Sequence, residues 1–230
     1  MGLAEELAKQ VGTIFLESWT ERNGQVVPDP EDLGLGNDGM NLEGTVLYAD
    51  LADSTGLVEN ESNWFAAEVY KSYLLCASKI IQHFNGEITA FDGDRIMAVF
   101  IGNSKNTNAV KTALAINHAV IQIINPKLKG VYKEKKYIVR HGVGVDTSDL
   151  FVARTGVRGS NDLVWIGNAA NYAAKLCSLR EEGYNLWITD KVYGNCHSSV
   201  RSIGGTNIWE ERFWSAKNKK VYTSRWYSSV

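Results

Sequence analysis

The pattern of apolar and polar positions along the chain predicts alternating helices and strands. Apolar residues recur at helical spacing in four segments, residues 1–19, 64–84, 107–125 and 167–179. Short runs of β-branched, aliphatic and aromatic residues predict strands at residues 45–49, 87–91, 95–101, 137–145, 150–155, 163–166 and 186–189, with a turn at 146–149 and a closing hairpin of 208–214 and 220–227. Because hairpins interrupt the alternation, the pattern predicts an α+β or mixed α/β sandwich.

The N-terminal segment differs from the rest of the chain. The helix predicted in residues 1–19 carries an apolar stripe, which favours docking on the core or on another subunit. Residues 20–42 contain Pro28 and Pro30 together with several Gly, Asn and Asp residues, which indicates a linker or arm. We therefore expect an N-terminal helix and arm at residues 1–40 and a folded domain at residues 41–230.

The composition excludes several classes of protein. The 230 residues, 44% of them hydrophobic, can bury a sizeable core as one domain. A net charge of −2 gives no general attraction to nucleic acid or to a membrane surface, so we expect neither as a partner. No apolar run approaches the roughly 20 residues of a membrane helix. Three cysteines without C-x-x-C spacing favour a reducing compartment, and we expect a cytoplasmic protein.

Two aspartates stand where a strand meets a turn. Asp50 follows the strand at 45–49, and Asp94 lies at or beside the tip of a hairpin predicted from a D-G pair. If their strands are neighbours, the carboxylates converge and repel each other unless a cation such as Mg²⁺ or Mn²⁺ lies between them. Ser54 and Thr55 belong to a turn rich in backbone N–H donors, which suits a phosphate. The alternative is that each aspartate only closes a turn or caps a helix.

Asn171 and Lys175 are a second pair of polar candidates. They are four residues apart on the Ala-rich helix at 167–179, so they share one face of it. An amide donor and a fixed cation suit a phosphoryl group whose oxygens gain charge during transfer. The alternative is an ordinary solvated helix face.

Four motifs, in this order and spacing, resemble the class III nucleotidyl cyclase catalytic domain. They are VLYADLADST, FDGDRIMAVF, HGVGVD and WIGNAANYAAKL, and together they cover about residues 41–195. The resemblance implies a ferredoxin-like βαββαβ sandwich of fold class α+β. It also implies a head-to-tail homodimer whose active sites lie at the subunit interface, with residues 41–230 as the catalytic domain.

The resemblance also implies the role of each matching residue. One subunit binds two Mn²⁺ or Mg²⁺ ions through Asp50, Asp94 and the carbonyl oxygen of Leu51, and the other contributes Asn171 and Lys175 to the transition state. The ribose 3′-hydroxyl then attacks the α-phosphorus and pyrophosphate leaves. The family usually has Arg where this chain has Lys175, and a lysine lacks the bidentate guanidinium fork.

The residues expected to contact the base depart from the family pattern. Relatives that act on purines read the base with polar side chains at the positions of Ala90 and Val164, which form no side-chain hydrogen bonds here. Tyr48 and Arg95 lie next to the two aspartates and are predicted to read a smaller base. The alternative is that Tyr48 packs in the core and Arg95 is solvated. Trp165 either stacks on the base or packs in the core.

With these departures, the chain resembles the pyrimidine cyclases of bacterial Pycsar anti-phage systems. The expected substrate is a pyrimidine ribonucleoside triphosphate, and the donor-only Arg95 slightly favours UTP over CTP. The cyclic nucleotide is then expected to act on a separate effector protein. Three alternatives stay open: a cytidylate cyclase, an adenylate cyclase with unfamiliar base contacts, and an inactive cyclase fold that serves as a dimerisation or sensing module. Lys175 favours the last, whereas the retained aspartates and Asn171 count against it.

Overall fold

A computed structural model describes residues 2–229 of the chain. The helices are α1 (Leu3–Leu16), α2 (Ser54–Asn60), α3 (Asn63–His83), α4 (Lys105–His118), a π-helical turn (Ala119–Ile124), α5 (Asn125–Val131), α6 (Asn168–Cys177) and α7 (Asp190–Asn195). The strands are β1 (Thr20–Asn23), β2 (Asp38–Leu51), β3 (Glu87–Asp92), β4 (Arg95–Phe100), β5 (His141–Val157), β6 (Ser160–Ile166), β7 (Leu186–Thr189), β8 (Ser202–Ile203), β9 (Thr206–Asn207), β10 (Glu210–Trp214) and β11 (Lys219–Ser224).

One twisted sheet organises the molecule. Its strands lie in the order β10-β11-β7-β5-β2-β4-β3, and β1 and β6 extend it beside the first residues of β2 and the last residues of β5. The unit β2-α3-β3-β4-α4-β5 places its four strands in the order β5-β2-β4-β3, which is the ferredoxin-like arrangement. The α+β fold class is therefore confirmed.

The sheet separates two apolar layers. On one face Leu47, Ala49 and Leu51 of β2 pack with α3 and α4, whose core is centred on fully buried residues such as Phe65 and Tyr73. The opposite face packs against α6 and residues of the N-terminal arm in a smaller cluster. Side chains alternate along a strand, so adjacent residues of β2 serve different layers.

Strand β5 is longer than the sequence predicts, and the turn predicted at residues 146–149 is wrong. The strand runs from His141 to Val157 without a break because residues 141–153 pair with β2 and residues 151–157 pair with β6. The polar residues that indicated a turn find partners in the fold instead. Asp146 accepts a hydrogen bond from Thr189 Oγ1 at 2.5 Å, and Ser148 Oγ accepts one from the backbone N–H of Ala169 at 2.9 Å.

The segment predicted as a linker contains regular structure. Strand β1 pairs in parallel with the first residues of β2, which begins at Asp38 rather than at residue 45. An ion pair between Arg22 and Asp38, with an N–O distance of 2.6 Å, crosses this pairing. Among the helices of residues 2–229, none combines the length and the apolar character needed to cross a membrane.

Candidate active site

Asp50 and Asp94 lie close together at one end of the sheet. Asp50 is the penultimate residue of β2, and Asp94 is the second residue of the two-residue turn between β3 and β4. Gly93, the first residue of that turn, has φ = +62°, a conformation that favours glycine. The turn is therefore tight enough to hold Asp94 beside the neighbouring strand β2.

The electrostatics of Asp50 reflect this crowding. Burial raises the pKa of Asp50, and the nearby Asp94 carboxylate raises it further, while Arg95 and Arg180 lower it. The Nε atom of Arg95 lies 3.9 Å from Asp50 Oδ2, and the Asp50 side chain is only 16% exposed. We call Asp50, Asp94, Tyr48 and Arg95 the acidic cluster.

Tyr48 shares a face of β2 with Asp50 and lies two residues before it. Its ring packs against the smaller core cluster, and its side chain is half-buried. Burial raises the pKa of Tyr48, whereas the positive charge of Arg95 opposes this. Tyr48 therefore packs as a core residue and also interacts electrostatically with Arg95.

The positions that correspond to the purine-reading residues are apolar. Ala90 and Trp165 pack beside Tyr48 in the smaller cluster, whereas Val164 is exposed on the other face of β6. The indole Nε1 of Trp165 is buried and has no hydrogen-bond partner among residues 2–229. The structure thus places Trp165 against the same apolar layer as Tyr48, while Val164 points away from it.

The turn after β2 carries the predicted phosphate-contacting residues. Ser54 and Thr55 begin α2, and Asp53 before them adopts the left-handed conformation with φ = +62°. Nη2 of Arg140 lies 3.7 Å from Asp53 Oδ2. Arg140 is a cation that the sequence pattern did not predict here. Its position directly before the HGVGVD motif is the one sequence feature that could have drawn attention to it.

Asn171 and Lys175 lie on the exposed face of α6. The Asn171 side-chain amide donates a hydrogen bond to the carbonyl oxygen of Gly167 at 3.2 Å. Lys217, from the turn between β10 and β11, lies near Lys175, and the proximity of this second ammonium group lowers the pKa of Lys175. We call Asn171, Lys175 and Lys217 the basic cluster. Lys217 was not predicted, and the only sequence feature that points to it is the lysine-rich turn AKNKK.

Within residues 2–229, no hydrogen bond or ion pair joins the basic cluster to the acidic cluster. The charged groups that act on Asp50 are Asp94, Arg95, Arg180 and Asp92, whereas the charged group that acts on Lys175 is Lys217. The structure thus brings together the predicted metal ligands and base-contacting residues. It does not bring Asn171 and Lys175 to them.

The acidic cluster fits a divalent cation. Asp94 Oδ2 is buried without a hydrogen-bond partner in the described part of the chain, which is costly for a carboxylate oxygen unless a ligand satisfies it. Within residues 2–229, no group of three or more His, Cys, Asp or Glu side chains forms a metal site. The donor set would therefore be two carboxylates, with the backbone carbonyl of Leu51 and substrate oxygens completing the coordination.

Comparisons with known proteins identify the family. The chain is 46% identical to a uridylate cyclase from Xanthomonas perforans over 98% of both chains, and 47% identical to one from Burkholderia cepacia over the full length of both. Among solved structures it is similar to the adenylyl cyclase CyaB from P. aeruginosa, with a TM-score of 0.67, 21% identity, and coverage of 81% of this chain and 95% of that one.

A non-canonical dimeric guanylyl cyclase domain from Blastocladiella emersonii is also similar, with a TM-score of 0.61 and 13% identity over 80% of this chain and 97% of that one. No family model matches the chain. The sheet order, the paired aspartates and the whole-chain identity define a class III nucleotidyl cyclase. The protein belongs to the same family as these uridylate cyclases, and the predicted family is confirmed.

Proposed function

We propose that this protein is a uridylate cyclase that converts UTP to 3′,5′-cyclic UMP and pyrophosphate at sites shared by two subunits. The observation that carries the proposal is that, within residues 2–229, Asn171 and Lys175 form no hydrogen bond or ion pair with the acidic cluster. A homodimer places the basic cluster of one subunit over the acidic cluster of the other and so completes two sites. A dimeric guanylyl cyclase domain is among the similar structures.

In the proposed reaction the ribose 3′-hydroxyl oxygen bonds to the α-phosphorus. The bond from the α-phosphorus to the oxygen that bridges to the β-phosphate breaks, pyrophosphate leaves, and the hydroxyl proton passes to solvent. Bound Mn²⁺ or Mg²⁺ would lower the pKa of the 3′-hydroxyl and offset the charge of the phosphates. Asp50, Asp94 and the carbonyl oxygen of Leu51 would hold two such ions.

The remaining polar groups bind the triphosphate. Asn171 donates to a phosphate oxygen in the transition state, and Lys175 with Lys217 supplies two adjacent positive charges. Two neighbouring lysines compensate for the absence of the bidentate guanidinium that relatives have at position 175, because their mutual repulsion is relieved when an anion binds between them. Ser54 and Thr55 follow Asp50 in the turn after β2, Arg140 lies 3.7 Å from Asp53 of that turn, and all three suit the outer phosphates.

The choice of UTP rests on the base-contacting residues and on the named relatives. Ala90 and Val164 offer no side-chain hydrogen bonds to a purine. Tyr48 and Arg95 stand beside the metal-binding aspartates, where a hydroxyl and a guanidinium match the carbonyl oxygens of uracil. Trp165 gives this region an aromatic wall.

We further propose that the product acts as a second messenger in anti-phage defence and is bound by a separate effector protein. The resemblance to Pycsar cyclases supports this role.

The test is to incubate the purified protein with Mn²⁺ and, separately, with each of the four ribonucleoside triphosphates, and to identify the products by chromatography and mass spectrometry. We expect cyclic UMP from UTP and at most traces from the other three. Asp94→Asn, which keeps the size of the side chain, is expected to lower turnover at least about 100-fold. Removing a single group that stabilises transition-state charge has a cost of this order in other enzymes.

Cyclic CMP or cyclic AMP as the main product would replace the assigned substrate while preserving the cyclase. No cyclic product from any of the four, with Mg²⁺ as well as Mn²⁺, would contradict the proposed activity.

A further inference from the structure

Arg180 lies beside Asp50 on the face of the sheet that carries α6. Asp50 of β2 pairs directly with Gly142 of β5, and the Cβ positions of directly paired residues lie about 5 Å apart on the same face of a sheet. Gly142 has no side chain, and Nη1 of Arg180 lies 2.6 Å from the point that a Cβ atom of residue 142 would occupy. The guanidinium group therefore lies next to the Asp50 side chain.

The guanidinium group of Arg180 is held in place through one of its nitrogen atoms. Nη1 donates hydrogen bonds to the carbonyl oxygens of Cys177 at 2.6 Å and Leu179 at 3.0 Å, at the C-terminal end of α6. Within residues 2–229 its Nε and Nη2 atoms donate no hydrogen bond, and the ion pair of Asp50 is with Arg95. Nε and Nη2 form the edge of a guanidinium that binds two oxygens of one anion side by side. Arg180 is exposed, so this edge is open to a ligand.

The charge of Arg180 acts on several groups around the acidic cluster. Burial raises the pKa of Asp50 and that of the buried Cys177 thiol, and the positive charge of Arg180 opposes both effects. Burial lowers the pKa of His141, and Arg180 lowers it further. Groups on β2, β5 and α6 thus experience the same charge. Arg180 therefore belongs to the surroundings of the acidic cluster, although it lies far from Asp50 in the sequence.

The charge balance of the acidic cluster changes when metal ions bind. Without them, the positive charges of Arg95 and Arg180 offset the negative charges of Asp50 and Asp94. Two divalent cations outweigh the two carboxylates, and the arginines then lie beside an excess of positive charge, which is unfavourable. The phosphates of a nucleotide restore the balance. A guanidinium with an open bidentate edge is the side chain that matches two oxygens of one phosphate.

We propose that Arg180 binds the triphosphate of the nucleotide at the acidic cluster of its own subunit. The inference rests on the proposed function for the triphosphate as substrate. Arg180 then differs from the basic cluster, which the other subunit supplies. In the protein without ligands it offsets the charge of the two carboxylates, and in the complex its open edge donates to phosphate oxygens while Nη1 stays bonded to the end of α6.

Titration of the full chain with Mn²⁺ alone, followed by calorimetry, tests the position of the charge. Arg180→Gln removes the charge and keeps a side-chain amide that can donate a hydrogen bond. We expect it to lower the Mn²⁺ dissociation constant about 2- to 5-fold, because a positive charge near the ions is lost. Arg158→Gln, at an exposed arginine in the turn between β5 and β6, should leave the constant unchanged. A side chain that only caps α6 would not tighten metal binding, so an equal or higher constant for Arg180→Gln would overturn the inference.

Binding of a nucleotide analogue tests the contact with phosphate. The probe is α,β-methylene-UTP in saturating Mn²⁺, which cannot be cyclised because a carbon replaces the oxygen of the bond that breaks. We expect Arg180→Gln to raise its dissociation constant at least about 10-fold, since hydrogen bonds to a charged group are lost, and Arg158→Gln to leave it unchanged. Arg180→Lys should give an intermediate value, because lysine keeps the charge but lacks the bidentate edge. Equal constants for Arg180→Gln and the unaltered chain would contradict the contact.

Neither titration measures turnover, so the two proposals can fail separately. If the unaltered chain makes cyclic UMP but Arg180→Gln changes neither dissociation constant, the proposed function stands and the role of Arg180 is wrong. If Arg180→Gln shifts both constants as expected but no chain makes a cyclic nucleotide, Arg180 binds the triphosphate and the proposed function is wrong. An unaltered chain that does not bind the analogue would overturn both.

Discussion

His141 is a fully buried histidine behind the acidic cluster. It begins β5 and pairs with Leu51 of β2, one residue beyond Asp50. Its Nε2 atom has no hydrogen-bond partner within residues 2–229, and its ring lies 6.1 Å from that of Tyr73. Burial, with a smaller contribution from the positive charge of Arg180, lowers the pKa of His141 to about 3. The imidazole is therefore neutral at neutral and mildly acidic pH.

This pKa predicts a loss of stability in mild acid. The unfolded chain binds a proton at His141 below about pH 6.5, whereas the folded chain does so only near pH 3. The stabilisation is therefore present above pH 6.5 and decreases as the pH falls below it. From pH 7 to pH 5, His141 should cost about 2 kcal/mol of unfolding free energy.

Urea unfolding at both pH values measures this cost. His141→Gln should lose about 2 kcal/mol less than the unaltered chain over the same interval. His83→Gln, at an exposed histidine, should lose as much as the unaltered chain does. An identical loss in the His141 and His83 variants would show that the buried imidazole does not govern the acid sensitivity.

At the residue scale, the sequence predicted the position of a side chain wherever that position depends only on local structure. Asp50 after a strand and Asp94 in a D-G turn lie where the pattern predicts them, because strand ends and hairpin turns are local features. Arg140 and Lys217 were not predicted. Their relation to the site depends on contacts with Asp53 and Lys175, which are distant in sequence, and no local pattern specifies such contacts.

At the element scale, two glycines determine how α6 lies on the sheet. Gly142 and Gly144 of β5 face the helix, and a methyl group at Gly144 would overlap the carbonyl oxygen of Ala173 and the backbone nitrogen of Cys177. Backbone atoms cannot rotate away as a side chain can. The glycines of the HGVGVD motif therefore allow the close approach that positions Asn171 and Lys175.

Gly144→Ala should destabilise the fold by about 1–3 kcal/mol, because the helix must shift away from the strand. Urea unfolding measures the loss. Gly130→Ala is the matched control, since a methyl group at Gly130 of α5 meets no atom within 4 Å, and the change should be neutral or stabilise by up to about 1 kcal/mol. Equal stability of the two variants would mean that the sheet accommodates the methyl group without moving α6.

The turn wrongly predicted at residues 146–149 shows, at the scale of elements, why part of the fold could not be predicted. The helices and most strands follow from hydrophobic periodicity, which acts within an element. The polar run at residues 146–149 is typical of a turn, but β2 supplies continuous pairing and Thr189 and Ala169 supply hydrogen-bond partners. Pairing between strands 100 residues apart overrides the local preference, and a sequence pattern alone does not contain that information.

At the scale of the whole molecule, the separation of the two clusters makes a quantitative prediction about mixed dimers. A chain with Asp50→Asn has a damaged acidic cluster and an intact basic cluster, and a chain with Asn171→Ala has the reverse. In a dimer of the two, one site combines both lesions and the other combines the two intact clusters. If subunits exchange at random, half of the dimers are mixed, and activity should recover to about a quarter of the unaltered level.

The matched control is a mixture of Asp50→Asn with Asp94→Asn. Both lesions then lie in the acidic cluster, so each site of a mixed dimer contains one of them and no activity should return. Cyclic nucleotide production from equimolar mixtures, with subunit exchange verified by differently tagged chains, measures both cases. Recovery in both mixtures, or in neither although mixed dimers are present, would contradict a site built from two subunits. Recovery only in the mixture of Asp50→Asn with Asn171→Ala would show that each site combines the acidic cluster of one chain with the basic cluster of the other.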